Sequence, residues 1–324
     1  RPNLDILTGQ RVEKLLFEGT RVNGIELADR VVHCRGEIIL SAGAVETPKL
    51  LELSGIGNGE RLQALGIDTL VHSPLVGENL REHRYVAIDW RVKGGSSNHK
   101  LQGPSLIAAL LRYLLFKSGP MSDAAHEVGG FIKTRPELSR PDAQIGSMLV
   151  TMSIGEDGAP ILDSFPGMRI LGYFTRPESR GWTHITSRDA DIPPDINANH
   201  FAESIDRDTG VDLFKWIRRL GQQNALAPWI VEETERSTVF QSDEDIAANL
   251  LNLGGTSFHI AGTAAMGSDP DSVLDPQLRV RGVEGLRVCD TSIMPTLVSG
   301  NTNAPAMAIA MNAADIILSA KANT

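Results

Sequence analysis

The chain has 324 residues, 41% hydrophobic and 22% charged, with a formal net charge of −9. An ordinary apolar fraction with dispersed charges excludes a disordered chain, and the length suggests about two domains with real cores. An acidic chain with no Lys/Arg cluster lacks the footprint of a nucleic-acid binder, and no apolar run reaches the ~20 residues that span a bilayer. The best such run, residues 106–116, is interrupted by Arg112. Two cysteines, Cys34 and Cys289, form no C-x-x-C, and the eight histidines include no H-x-x-x-H. Neither a disulfide framework nor a metal site is expected, and both cysteines read as small buried residues of a sheet. Few cysteines and no export signal favour a cytoplasmic setting.

The first residues, RPNLDILTGQ, read as mid-protein sequence. A strand is expected at 4–7, a turn at Thr8-Gly9, a strand from Val12, and a hairpin through Gly19 to Val22, Ile25 and Leu27. Ile38, Ile39 and Leu40 form an apolar strand that runs into Ser41-Ala42-Gly43. A helix starts around Thr47-Pro48, where the missing proline N–H costs nothing in a first turn, and stops at Gly55. Strand, small-residue turn and helix make the βα unit of a dinucleotide-binding sheet. Residues 86–240 differ: VAIDWRV, AQIGSMLVTM, MRILGYF and WTHITS read as strands of an antiparallel sheet, with helices at 105–116 and 206–223. Leu213, Trp216, Ile217 and Leu220 recur at helical spacing as core. From about 241 the first composition returns. Ser242 caps a helix through Ile246 and Leu250, strands follow at 278–280 and 286–289, and an Ala/Met-rich helix at 302–318, apolar on most faces, reads as buried.

Several motifs stand out. GAVETPKLLELSGIG at 43–57 is followed by VGENLREH at 76–83, and FHIAGTAAMG occupies 258–267. VLDP at 273–276, LRVRGV at 278–283, LRVCDTSIMP at 286–295 and NTN at 301–303 come next, with SRG at 179–181 in the middle. In this order they resemble the glucose–methanol–choline (GMC) flavoprotein oxidoreductases over almost the whole chain, most densely at both ends. Arg81-Glu82 stands where the family usually has Gln-Asp, and His83 reads as a hydrogen-bonded loop residue. The glycine-rich G-x-G-x-x-G unit of the family is absent.

The resemblance implies an α/β fold, α+β overall: a split, Rossmann-like FAD-binding domain at 1–85 and 241–324, with a substrate domain at 86–240 built on a largely antiparallel sheet. It implies FAD as cofactor, a small-molecule alcohol as substrate, and oxygen or another electron acceptor. A separate N-terminal segment of roughly 150–220 residues is expected to dock on an exposed sheet edge. Alcohol oxidation needs a base that is neutral near operating pH, and histidine meets that need. His259 takes the catalytic-base position, and the following Ala261-Gly262 turn would let a flavin approach closely. Asn301 is its partner, since the family places His or Asn there; Asn can hydrogen-bond a substrate oxygen but cannot titrate. Phe258 is expected at the cofactor. Asp290, ending a strand, reads as reaching the ribityl or pyrophosphate region with help from Thr291; the simpler reading is a capping aspartate. The helix-start N–H groups of Thr302 and Asn303 suit a flavin carbonyl that becomes negative on reduction. Val12 offers backbone groups to the adenine. The expected reaction is oxidation of a primary alcohol to an aldehyde, with hydride passing to the flavin. Its rivals are non-redox hydroxynitrile-lyase chemistry on the same fold and an inactive fragment.

Overall fold

The apolar run Leu15-Leu16-Phe17 and the apolar positions Val22, Ile25 and Leu27 give the first sheet of the computed structural model, which describes residues 2–322. Elements are numbered along the chain. β1 (Val12–Glu18), β2 (Arg21–Leu27) and β3 (Val31–His33) pair antiparallel in that order. β4 (Ile38–Leu40) pairs parallel with β17 (Leu286–Val288), Leu286 opposite Ile38 and Val288 opposite Leu40. Between β4 and the short parallel pair β5 (Ile56–Gly57) and β6 (Val71–His72) runs α1 (Gly43–Leu53); α2 (Gly59–Ala64) connects β5 to β6. The hairpin β13 (Trp182–His184) and β14 (Asp195–Asn197) and the closing helix α7 (Asn303–Ala322) complete this unit. Its core gathers Leu15, Leu51, Ile56, Leu274, Leu286, Val288 and Ile293.

The second unit is built on one antiparallel sheet. β15 (Ile230–Glu233), β7 (Arg84–Val92), β12 (Gly167–Phe174), β9 (Ala143–Met148) and β8 (Val128–Ile132) lie in that order, with β16 (Gly254–Thr256) also on β7. Period-two alternation in β7 sends Val86, Ile88, Trp90 and Val92 to one face. There they meet Leu213, Phe214 and Ile217 of α4 (Ser204–Gly221). Each such fully buried side chain contributes roughly 1.5–3 kcal/mol. α6 (Asp243–Asn249) starts at Ser242, whose hydroxyl oxygen accepts the Asp245 N–H at 3.1 Å. The hairpin β10 (Met152–Ile154) and β11 (Pro160–Leu162), α3 (Gly103–Phe116) and the short α5 (Glu235–Thr238) lie outside this core.

The compact units divide at 1–82, 179–200 and 258–324 against 83–178 and 201–257, not at 85 and 240. Residues 179–200 belong with the first unit because polar bonds fasten them there. The His184 ring lies between Glu52 Oε1 at Nδ1 (2.8 Å) and Glu78 Oε1 at Nε2 (3.0 Å), and Glu52 Oε2 accepts the Ile185 N–H (2.8 Å). Residues 241–257 stay with the second unit because Ile246, Leu250 and Leu253 fill its core.

Other expectations need correction. Residues 4–7 form no strand, and Leu4, Ile6 and Leu7 are exposed. Residues 278–280 make only isolated bridges. Both cysteines are half-buried, each just past a strand end rather than inside a sheet. α1 begins at Gly43, so Pro48 lies inside it rather than in its first turn. Lacking an N–H, Pro48 cannot donate to the Ala44 carbonyl one turn back. The Thr263 hydroxyl donates to that carbonyl instead, at 2.7 Å. α7 is mostly exposed, with Met307, Met311 and Leu318 turned outward and Ala313 buried; an apolar composition on every face does not say which face is covered. Among the described residues no helix is long and apolar enough to cross a membrane.

Candidate active site

Three segments of the first unit run side by side around His259. Residues 260–266 bond to the turn after β17 through Gly262 N–H to Thr291 O (3.2 Å), Ala264 N–H to Ser292 O (2.9 Å) and Met266 N–H to Ile293 O (2.9 Å). On their other side Arg81 and Ala261 exchange both backbone bonds at 3.0 Å, and the Gly77 N–H donates to Thr263 O at 2.8 Å. Gly262 is required: its φ is +92°, and a Cβ would lie 2.5 Å from the Asn79 carbonyl oxygen. The Asn79 backbone approaches this turn closely. The Asn79 amide holds the approach by donating to Gly262 O (3.2 Å) and Pro295 O (3.3 Å).

His259 is buried, and its backbone N–H donates to Glu82 Oε1 at 2.8 Å. Its Nε2 lies 3.2 Å from the Asn301 Nδ2. With the amide donating, Nε2 is the acceptor and the ring hydrogen sits on Nδ1. Burial pushes the imidazole below its ordinary value of 6.5 by disfavouring the charged form. A neutral ring with an acceptor nitrogen aimed at an amide donor can share one ligand oxygen with it, taking its proton while the amide holds the charge left behind.

Asp290 follows β17, and its carboxylate is turned inward. Oδ2 accepts from the Gly43 N–H (3.0 Å) and the Thr47 hydroxyl (2.6 Å), and Oδ1 accepts from the Ser292 N–H (2.7 Å). It clamps the β4–α1 turn to the β17 turn. The Thr291 hydroxyl donates to Ile260 O at 3.0 Å, tying that turn to the residue after His259. Thr302 is buried and its carbonyl accepts the Ala306 N–H, so it caps α7; Asn303 is exposed in the first turn. Phe258 is 85% exposed, with φ +59°, a backbone region that aromatic residues seldom enter. Val12 opens β1 and packs against the first core. The structure thus joins His259, Asn301, Asp290 and Thr291 through direct bonds and adjacent turns, and leaves Val12 in a separate sheet. His83 is buried in the second unit, its Nε2 3.2 Å from Thr175 O and its ring stacked on Tyr173.

The chemistry of FAD suits this arrangement. Strand ends of a parallel pair are where such ligands bind, and β4 and β17 end together. At Gly43, with φ +87°, a Cβ would meet nothing within 4 Å, so that turn is open to a close neighbour. The Asn303 and Ala304 N–H groups open α7 ahead of Pro305, where the helix dipole favours negative charge.

Sequence reasoning missed Glu82, Thr47, Thr263 and Asn79 as holders of the site. Each lies within a quoted motif. The usable signal was chemical: a proline inside a helix frees a carbonyl that calls for a nearby hydroxyl, and a strand-end aspartate needs donors.

The N-terminal GMC oxidoreductase family model matches residues 1–85 and the C-terminal one residues 177–310. Human mitochondrial choline dehydrogenase is 36% identical over 324 residues, covering 98% of this chain and 54% of that protein. The alcohol dehydrogenase [acceptor] of Pseudomonas putida is also 36% identical, over 98% of this chain and 58% of its own length. Pyridoxine 4-oxidase from Mesorbium loti superposes with a TM-score of 0.82 at 28% identity, covering 97% of this chain and 58% of that one. A formate oxidase from Aspergillus oryzae RIB40 gives 0.91 at 26%, covering 99% and 62%. The fold is that of the α/β oxidoreductases carrying an added antiparallel-sheet unit. The chain belongs to the GMC oxidoreductase family. It spans about half the length of the curated relatives it matches. Because residues 1–85 themselves match the N-terminal model, the expected separate N-terminal chain finds no support.

Proposed function

We propose that the protein oxidises a primary alcohol to an aldehyde with FAD, His259 taking the hydroxyl proton. The observation that carries this reading is the pairing of a buried, neutral His259 Nε2 with the Asn301 amide at 3.2 Å. A substrate hydroxyl entering between them replaces that bond: its O–H donates to Nε2 and its oxygen accepts from Nδ2. Proton transfer to Nε2 leaves alkoxide character on the oxygen, which the Asn301 amide steadies. FAD, when bound, supplies the redox chemistry by accepting the hydride from the carbinol carbon and passing the electrons to oxygen or another acceptor. Glu82 fixes the backbone from which His259 projects. The Gly43 turn, Phe258, Thr291 and the Thr302–Asn303 start of α7 would hold the cofactor, Asp290 acting by setting the two turns together. Val12 meeting the adenine rests on family resemblance alone.

Anaerobic addition of aliphatic and aryl primary alcohols to the full-length, flavin-loaded enzyme tests the proposal. The absorbance near about 450 nm, characteristic of oxidised flavins, should bleach with at least one alcohol. A flavin-loaded enzyme that no primary alcohol bleaches would overturn it.

A further inference from the structure

α3 stands out in the second unit because its apolar face is outward. The sequence GPSLIAALLRYLLF gives a helix apolar on nearly every side, yet only Ala109 is buried and Tyr113 half-buried. The helix rests on this i, i+4 line. Ile107, Leu111, Leu115 and Phe116 are 63%, 53%, 72% and 73% exposed, with Leu110 and Leu114 between them. One contiguous row of large aliphatic side chains on a surface marks an interaction site.

The charge around this row says what it meets. Between Asp89 and Asp123 the chain carries no acidic residue, and five cations: Arg91, Lys93, Lys100, Arg112 and Lys117. All five are exposed, and Arg91 is paired with Glu232. This is a cationic, apolar stretch in a chain of net charge −9. A second copy docked through the same helix would bring Arg112 and Lys117 toward like charges of its partner, which disfavours self-association. Fourteen residues in a helix about 21 Å long are too few to cross a bilayer but enough to lie along one. Apolar side chains entering the acyl boundary, with Lys and Arg reaching the headgroups, is the mode of an in-plane interfacial helix.

We propose that α3 docks the protein on an anionic lipid surface, Ile107, Leu111 and Leu115 entering the bilayer and Lys100, Arg112 and Lys117 meeting acidic headgroups. Flotation of the full-length protein with vesicles tests it, using phosphatidylcholine alone and phosphatidylcholine containing phosphatidylglycerol. Wild type should float with the phosphatidylglycerol vesicles, more weakly with the neutral ones, and lose the difference in high salt. Leu111→Glu with Leu115→Glu should weaken binding at least tenfold without moving the thermal midpoint, because both side chains are exposed. Lys100→Gln and Lys117→Gln should each cost about fivefold on the anionic vesicles only. Failure of wild type to float, or floating that the double glutamate variant does not reduce, overturns the proposal. So does a dimer in sedimentation that the same variant dissociates, since the face would then belong to a second copy.

Discussion

Both units have an apolar core, but the first adds polar bonds between separate stretches of chain. The second is one antiparallel sheet backed by α4, with side chains such as Phe214, Leu213 and Ile217 fully buried in a continuous apolar core. The first is assembled from three stretches of chain, and polar bonds reinforce the apolar core that two of them share. Asp290 reaches Gly43 across 247 positions, Thr263 reaches Ala44 across 219, and Glu82 reaches the His259 backbone across 177. An apolar core spreads its stabilisation over many small contacts. A polar junction concentrates it in a few directional bonds, so single atoms matter more there, and that rigidity is what a catalytic pair needs.

The largest effect should come from the pair itself. His259→Ala should slow flavin reduction by the ~10²–10⁴ that a general base supplies, with flavin still bound. Stopped-flow reduction of the variant at near wild-type rate would remove the mechanism. In the second unit Phe214→Ala should cost ~3–5 kcal/mol in chemical denaturation, as for other buried aromatics; a loss under about 1 kcal/mol would mean the core is not as continuous as its burial shows. Asp290→Ala frees the Gly43 and Ser292 N–H groups and the Thr47 hydroxyl together. It should cost ~2–4 kcal/mol, and hydrogen exchange should quicken in 38–47 and 286–293 while the β7–β12 amides keep their protection. Uniform loss of protection would erase the contrast between the units. Thr263→Val should cost ~1–2 kcal/mol by leaving the Ala44 carbonyl without its donor, and Thr263→Ser should recover most of it in the same denaturation assay.

The smallest effect is a displacement in pH. Burial lowers the His259 pKa from 6.5, so the ring stays a competent base below that pH. The plateau of the reduction rate should extend to lower pH than free imidazole allows, then fall about tenfold per unit. The sign for stability is the same: the folded ring takes up a proton less readily than the unfolded one, so stability is lost as pH falls through 6.5 and below. An acid limb centred above 6.5 in pre-steady-state data would contradict the burial.

Periodicity made the second unit readable. β7, β12 and α4 follow from spacing alone, since each has one covered face. In the first unit, residues 4–7 look like a strand and α7 like a buried helix because both are apolar, but apolar sequence carries no address for its partner. The α1 start falls one turn before the residues that spacing suggests for the same reason: the hydroxyl that lets Pro48 sit inside α1 lies 219 positions from Ala44. Motif chemistry pointed to His259, Asn301 and Asp290, and the structure sets the first two 3.2 Å apart. For Asp290 it offered an outward task and a capping role; the structure shows the cap, on the Ser292 N–H, and adds Gly43 and Thr47, donors that belong to a distant stretch.

The clamp between Gly43 and Asp290 also sets a timetable. A ribosome adding ~5–20 residues per second needs on the order of 10–50 s to travel the 247 positions between them. For that interval β4 and the start of α1 exist without β17, whereas the second unit has every strand and helix of its core once residue 257 emerges. On the nascent chain the antiparallel sheet can therefore close before the turns around His259 are assembled.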